Sequence, residues 1–137
     1  MNSSYDTPPR QTRVLVVDDN LPSAMTLTWV MEANGHDVRT CDNGRDAVVL
    51  AKAFHPDVVL LDIGMPIMDG LETCQALRKD PETAATVIVA QTAWGDAHMR
   101  AETASAGFDF HIVKPLDLDE VERIVALSAT RRHGRLH

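Results

Sequence analysis

The sequence predicts an α/β fold, a doubly wound parallel sheet assembled from five strand–helix units. Three observations predict it. Short apolar, β-branched runs alternate with helix-length amphipathic segments along almost the whole chain. Four of those runs lead into polar residues at their carboxyl ends: Val14 to Val17 into Asp18-Asp19, Val58 to Leu61 into Asp62, Val87 to Ala90 toward Thr92, and Phe110 to Val113 into Lys114-Pro115. At 137 residues and 45% hydrophobic content, the chain can bury one real core and has little room for a second folded domain.

Residues 1–12 carry Pro8-Pro9 and few apolar groups and read as a flexible leader; residues 13–128 read as the folded domain. Arg13 to Val17 is the first strand. Asn20 is placed to cap a helix with Pro22 in its first turn, and Met25, Leu27, Val30 and Met31 supply an apolar face until Asn34-Gly35 stops it. A short second strand spans His36 to Cys41. Asp42-Asn43-Gly44 breaks it, and Ala47, Val48, Leu50, Ala51 and Phe54 mark the second helical face. The third strand, Asp57 to Asp62, is apolar at every interior position, the pattern of a central parallel strand covered on both faces. Asp69-Gly70 then turns into a helix carrying Leu71, Cys74 and Leu77.

Thr86 to Gln91 forms the fourth strand, followed by a helix from about Asp96 to a left-handed cap at Gly107. Phe110 to Val113 is the fifth strand. Asp117 to Ser128 closes the domain as a helix with Leu118, Val121, Ile124, Val125 and Leu127 facing inward. Residues 129–137, with Arg131-Arg132-His133-Gly134-Arg135, are a basic tail that reads as a frayed helix end.

Charge and composition exclude several classes. A net charge of −7 disfavours direct DNA binding, which needs clustered Lys and Arg to displace counterions. No apolar run approaches the length of a membrane span, and the polar Met1-Asn2-Ser3-Ser4 lacks the apolar core of a signal peptide, so a cytoplasmic protein is expected. Cys41 and Cys74 lack metal-ligand spacing and read as ordinary reduced thiols.

Parallel strands would bring Asp18, Asp19, Asp62, the Thr92 hydroxyl and the Lys114 ammonium to one sheet edge, where open α/β sheets bind ligands. Carboxylates so close repel, each pair by on the order of 4 kcal/mol at about 4 Å and an effective dielectric of about 20. A hard divalent cation with oxygen ligands offsets that repulsion; Mg²⁺ takes carboxylates, keeps waters and shares phosphate oxygens. A carboxylate beside it can act as the nucleophile of phosphoryl transfer, with Lys114 and Thr92 stabilising the moving group. The set holds a nucleophile and stabilisers but no evident general base.

Val16-Val17-Asp18-Asp19-Asn20, Leu61-Asp62-Ile63-Gly64-Met65-Pro66-Ile67-Met68-Asp69-Gly70, Gln91-Thr92-Ala93 and Val113-Lys114-Pro115 together resemble the receiver domain of bacterial two-component response regulators. The resemblance covers about Arg13 to Ser128. It implies a flavodoxin-like sheet of strand order 2-1-3-4-5 and a stand-alone or hybrid-kinase receiver in a histidine-to-aspartate phosphorelay. Asp62 would be the phospho-acceptor, Asp19 a direct Mg²⁺ ligand, Asp18 a water-mediated one, and the Gly64 carbonyl the remaining protein ligand; Mn²⁺ would substitute for Mg²⁺. Thr92 and Lys114 would contact the phosphoryl group, and the bond from Lys114 to Pro115 would be cis. The donor would be a sensor histidine kinase or a His phosphotransfer domain, and the output altered binding to a downstream protein through the face of the fourth helix, fifth strand and last helix. The chain would not be an enzyme beyond promoting its own phosphorylation and dephosphorylation, and it would be a monomer or weak homodimer.

Two positions depart from the family pattern. His111 stands where an aromatic commonly turns inward, and a neutral imidazole is smaller and can hydrogen-bond or titrate. Trp94 follows Thr92 and Ala93 where smaller residues are common, at the mouth of the site. Taken singly, Asp18 and Asp19 would pass for solvated acids or a helix cap, Thr92 for a turn residue, Lys114 for a surface lysine, His111 for a packed histidine, and Met65 and Met68 for turn packing. The functional reading rests on the ensemble. Two other functions compete with it: a receiver-like interaction module that signals without phosphate, and an Asp-nucleophile phosphatase of the haloacid dehalogenase type. The latter wants a second Asp two positions after the nucleophile, where Asp18 is followed by Asn20.

Overall fold

The structure is a computed structural model that describes residues 11–64, 69–93, 95 and 97–134, with side chains to residue 130 in the last helix. Strands and helices alternate: β1 (Arg13–Val17), α1 (Leu21–Ala33), β2 (Asp37–Cys41), α2 (Gly44–Phe54), β3 (Val58–Asp62), α3 (Gly70–Lys79), β4 (Val87–Thr92), α4 (Ala97–Ala106), β5 (Phe110–Val113) and α5 (Leu118–Gly134). All neighbouring strand pairs are parallel, in the order β2-β1-β3-β4-β5. Fold class and strand order are as the sequence led one to expect.

Alternation along the strands divides the core into two layers. Val14, Val16, Val58, Leu60, Val87, Val89 and Ile112 pack on Ala24, Leu27 and Met31 of α1 and on Val121, Ile124 and Val125 of α5. Leu15, Val17, Val59, Leu61, Ile88 and Ala90 face the opposite way, onto Ala47 and Ala51 of α2, Cys74 and Leu77 of α3 and Ala106 of α4. Each fully buried Val or Leu contributes about 1.5–3 kcal/mol. β3 is buried at every residue, as its unbroken apolar run requires.

The helix starts follow the local chemistry. The Asn20 side chain accepts from the Ser23 N–H at 3.0 Å, Asn43 from the Asp46 N–H at 2.8 Å, and Asp69 forms a reciprocal capping box with Glu72. Gly107 ends α4 at φ 106, a backbone conformation that side chains disfavour.

Several details differ from the sequence reading. Met25 is exposed because the buried stripe of α1 runs through Ala24, Leu27 and Met31, one position off. Leu118 and Leu127 are also exposed rather than inward: Leu118 sits in the first turn of α5 beside the sheet end, and Leu127 lies off the Val121, Ile124, Val125 and Ser128 stripe. β2 begins at Asp37 and β4 runs from Val87 to Thr92, and α5 continues past Ser128 to Gly134. Trp94, Met65, Pro66 and Met68, most of the leader and the side chains of the basic tail lie outside the described residues. Among the described residues no helix is long and apolar enough to cross a membrane. Cys41 and Cys74 are free, and burial pushes each thiol up to about 11, which keeps both in the inert protonated form.

Candidate functional site

The carboxyl ends of β1, β3, β4 and β5 deliver the predicted polar residues to one edge of the sheet. Asp18 follows β1 directly and is buried; Asp19, next to it, is exposed; Asp62 is the last residue of β3 and is buried. Oxygens of these three carboxylates lie within 4.8 Å of one another. Lys114, just past β5, points its ammonium at both buried acids, with Nζ 3.4 Å from Asp62 Oδ2 and 4.0 Å from Asp18 Oδ2. The Lys114–Pro115 bond is cis.

Backbone donors hold the remaining oxygens. The Asn20 N–H donates to Asp18 Oδ1 at 2.8 Å, and the Gly64 N–H donates to Asp62 Oδ1 at 2.9 Å. Asn20 therefore serves twice, its side chain capping α1 and its amide fixing an acid. Burial raises the Asp18 pKa above the ordinary carboxylate value, against the pull of the Asn20 N–H and of Lys114, while Asp62 pushes it the same way as burial. Among the described residues Lys114 stands beside two of the three clustered acids, so the edge is under-compensated, and the donor set is all oxygen. That set fits a hard divalent cation, which Asp18, Asp19 and Asp62 can hold together.

A cleft of about 250 Å³ opens from Asp62, lined by Gly64, Leu71, Thr92, Ala93, Met99 and Lys114. Thr92 is buried at the end of β4, and Ala93 is exposed beside it. The acids, Thr92 and Lys114 are thus brought together, as their positions in sequence indicated. Leu71 and Met99, which form part of the wall, were not anticipated, because their place depends on how α3 and α4 pack.

His111 is half-buried and turns toward α4 rather than the acids, with Nδ1 3.0 Å from the Thr103 hydroxyl. That hydroxyl donates to the Arg100 carbonyl at 3.1 Å, so the compatible arrangement has the imidazole donating from Nδ1. Pro115 lies on the far side of Lys114 and lines a different cleft.

Residues 14–126 match the model of the response regulator receiver domain. Among curated proteins, the regulatory protein AtoC of Escherichia coli K12 is 37% identical over 113 residues, covering 82% of this chain but 24% of AtoC. Protein PilH of Pseudomonas aeruginosa is 36% identical over 105 residues, covering 77% of this chain and 87% of PilH. The chain therefore spans nearly all of one such relative and about a quarter of the other. A solved receiver domain of a Pseudomonas aeruginosa PAO1 sensor histidine kinase, with a magnesium ion in its active site cleft, superposes with a TM-score of 0.78. It is 25% identical over 85% of this chain and 95% of that one. By family model, relatives and sheet order alike, the chain belongs to the response regulator receiver domains.

Proposed function

We propose that this chain is a phospho-accepting receiver in a histidine-to-aspartate phosphorelay, with Asp62 as acceptor. The observation that carries the reading is the convergence of three carboxylates with Lys114 at one sheet edge, beside a cleft that Asp62 and Lys114 line together with Thr92. Asp62 is positioned for attack by two contacts, the Gly64 N–H on Oδ1 and the Lys114 ammonium near Oδ2. Its carboxylate oxygen forms the new P–O bond as the P–N bond of a phosphohistidine donor breaks. The leaving imidazole, protonated at its other nitrogen, departs neutral. No general base is needed, because a carboxylate nucleophile has no proton to lose as it attacks.

Asp19 and Asp62, with Asp18 at longer range and the Gly64 carbonyl, would hold Mg²⁺ or Mn²⁺. When bound, the ion supplies charge neutralisation for the acids and for the phosphoryl oxygens. Lys114 takes a second phosphoryl oxygen and the Thr92 hydroxyl a third. Magnesium in the active site cleft of the solved neighbour supports this assignment.

The donor is a sensor histidine kinase or His phosphotransfer domain, and the output is altered affinity for a protein partner. The net charge of −7 favours protein partners over DNA. Incubation with acetyl phosphate and Mg²⁺ is expected to add one labile phosphoryl group by intact mass, and chelation to prevent it. Asp62→Asn is expected to abolish the addition; labelling equal to that of the parent would refute the assignment.

A further inference from the structure

A second cleft, about 460 Å³, lies between α1 and the segment that joins β5 to α5. Its walls are mainly apolar, among them Leu27, Pro115, Leu116 and Leu118, and Lys114 stands at its edge toward the acidic site. Gln91 also lines it. Strand alternation explains why: Thr92 follows the Ile88 and Ala90 side of β4, whereas Gln91 follows Val87 and Val89 toward α1 and α5. Two consecutive residues of one strand thus serve two different clefts.

Gln91 is only 1% exposed, and its amide nitrogen Nε2 has no hydrogen-bond partner among the described residues. A buried donor without an acceptor is a standing cost to the fold, and an apolar residue of similar shape would avoid it. Every earlier residue of the strand, Val87 to Ala90, is apolar and buried. The volume falls within the range of small-molecule sites, apolar walls with a few placed polar groups.

We infer that this cleft binds a small neutral molecule with an apolar body and a carbonyl-type acceptor, which the Gln91 amide receives. Charge decides the neutral form. Asp18 forms part of the same lining, Asp19 and Asp62 lie next to it, and Lys114 is already shared by the two buried acids. A carboxylate ligand would add a further negative charge to an under-compensated cluster. The inference stands whether or not Asp62 accepts phosphate.

The test uses the full ¹⁵N-labelled chain with three neutral probes: acetanilide, N-butylacetamide and cyclohexanone. Benzoate and ethylbenzene serve as the charged and acceptor-free comparisons. The side-chain amide resonance of Gln91, assigned by its loss in Gln91→Leu, is expected to shift saturably with at least one neutral probe. Gln91→Leu is expected to weaken that probe by about tenfold, as is Leu118→Lys at the exposed mouth. Leu118→Lys carries the test alone if Gln91→Leu does not fold. No saturable shift with any neutral probe would overturn the inference. So would equal affinity for benzoate or ethylbenzene, or a water contact to the Gln91 amide that persists at saturating probe; each would leave the amide merely hydrated.

Discussion

The two edges of the sheet are both rich in charge, and they use it in opposite ways. At the amino edge Arg78, Asp109, Asp57 and Arg13 are tied into backbone. Arg78 donates to the carbonyls of Gly107, Ala84 and Thr86 and to Asp109. Asp109 also accepts from the Ile88 N–H, and Asp57 accepts from the Arg13 N–H. At the carboxyl edge Asp62 and Asp18 share the Lys114 ammonium at 3.4 and 4.0 Å, and a third carboxylate, Asp19, adjoins them. The first edge is closed by its own partners. The second is left under-compensated, and that incompleteness is what the proposed function draws on.

Removing the closure should produce the largest loss of stability. Arg78→Ala deprives three carbonyls and one carboxylate of their donor at a half-buried site and is expected to cost about 2–4 kcal/mol by denaturant titration. Acetyl phosphate labelling of the folded fraction should be unchanged. If labelling fell in proportion to stability, the two edges would not be independent.

The opposite sign is expected at the carboxyl edge. Burial raises the Asp18 pKa, so the folded state binds its proton more tightly than the unfolded chain does. The ionised group therefore costs stability above that raised value, and acidification through it relieves the cost. Asp18→Asn should raise Tm by on the order of a few degrees at neutral pH, with the gain shrinking as the pH falls. The same substitution should weaken Mg²⁺ binding about tenfold, measured by calorimetry. A variant that is less stable at neutral pH would remove the contrast between the edges.

The smallest effect is expected at Asp80, partly exposed at the end of α3. The Glu82 N–H, and then Lys52, hold its carboxyl below the ordinary value of 3.8. Its contribution is present above that value and lost as the pH falls through the lowered one. Asp80→Asn should therefore change thermal melts slightly at neutral pH and not at all under strongly acidic conditions.

Much of this was legible in the sequence, for reasons that particular residues make plain. Strands declared themselves through runs such as Val58 to Leu61, and the site through the polar residues that end them. The cap at Asn20 was legible, whereas Asn43 and Asp69 read only as a strand break and a turn before the structure placed them as caps. Arg78 was not legible, because its acceptors are carbonyls at Ala84, Thr86 and Gly107 that carry no side-chain signature. Gln91 was readable as a strand residue, but its unpaired amide emerges only once α1 and α5 enclose it. Leu118 and Leu127 misled because helical spacing gives a face without saying where the sheet beneath it stops.

His111 and Thr103 join β5 to α4 by a polar contact, and among its described residues α4 otherwise buries only the small Ala106. In kinetic terms, α4 has the least apolar area to expose on opening. Its amides should exchange with deuterium ahead of those of α1, and His111→Ala should widen that gap. The helix expected to open first is therefore tethered by His111, where the resemblance to receiver domains implies an aromatic.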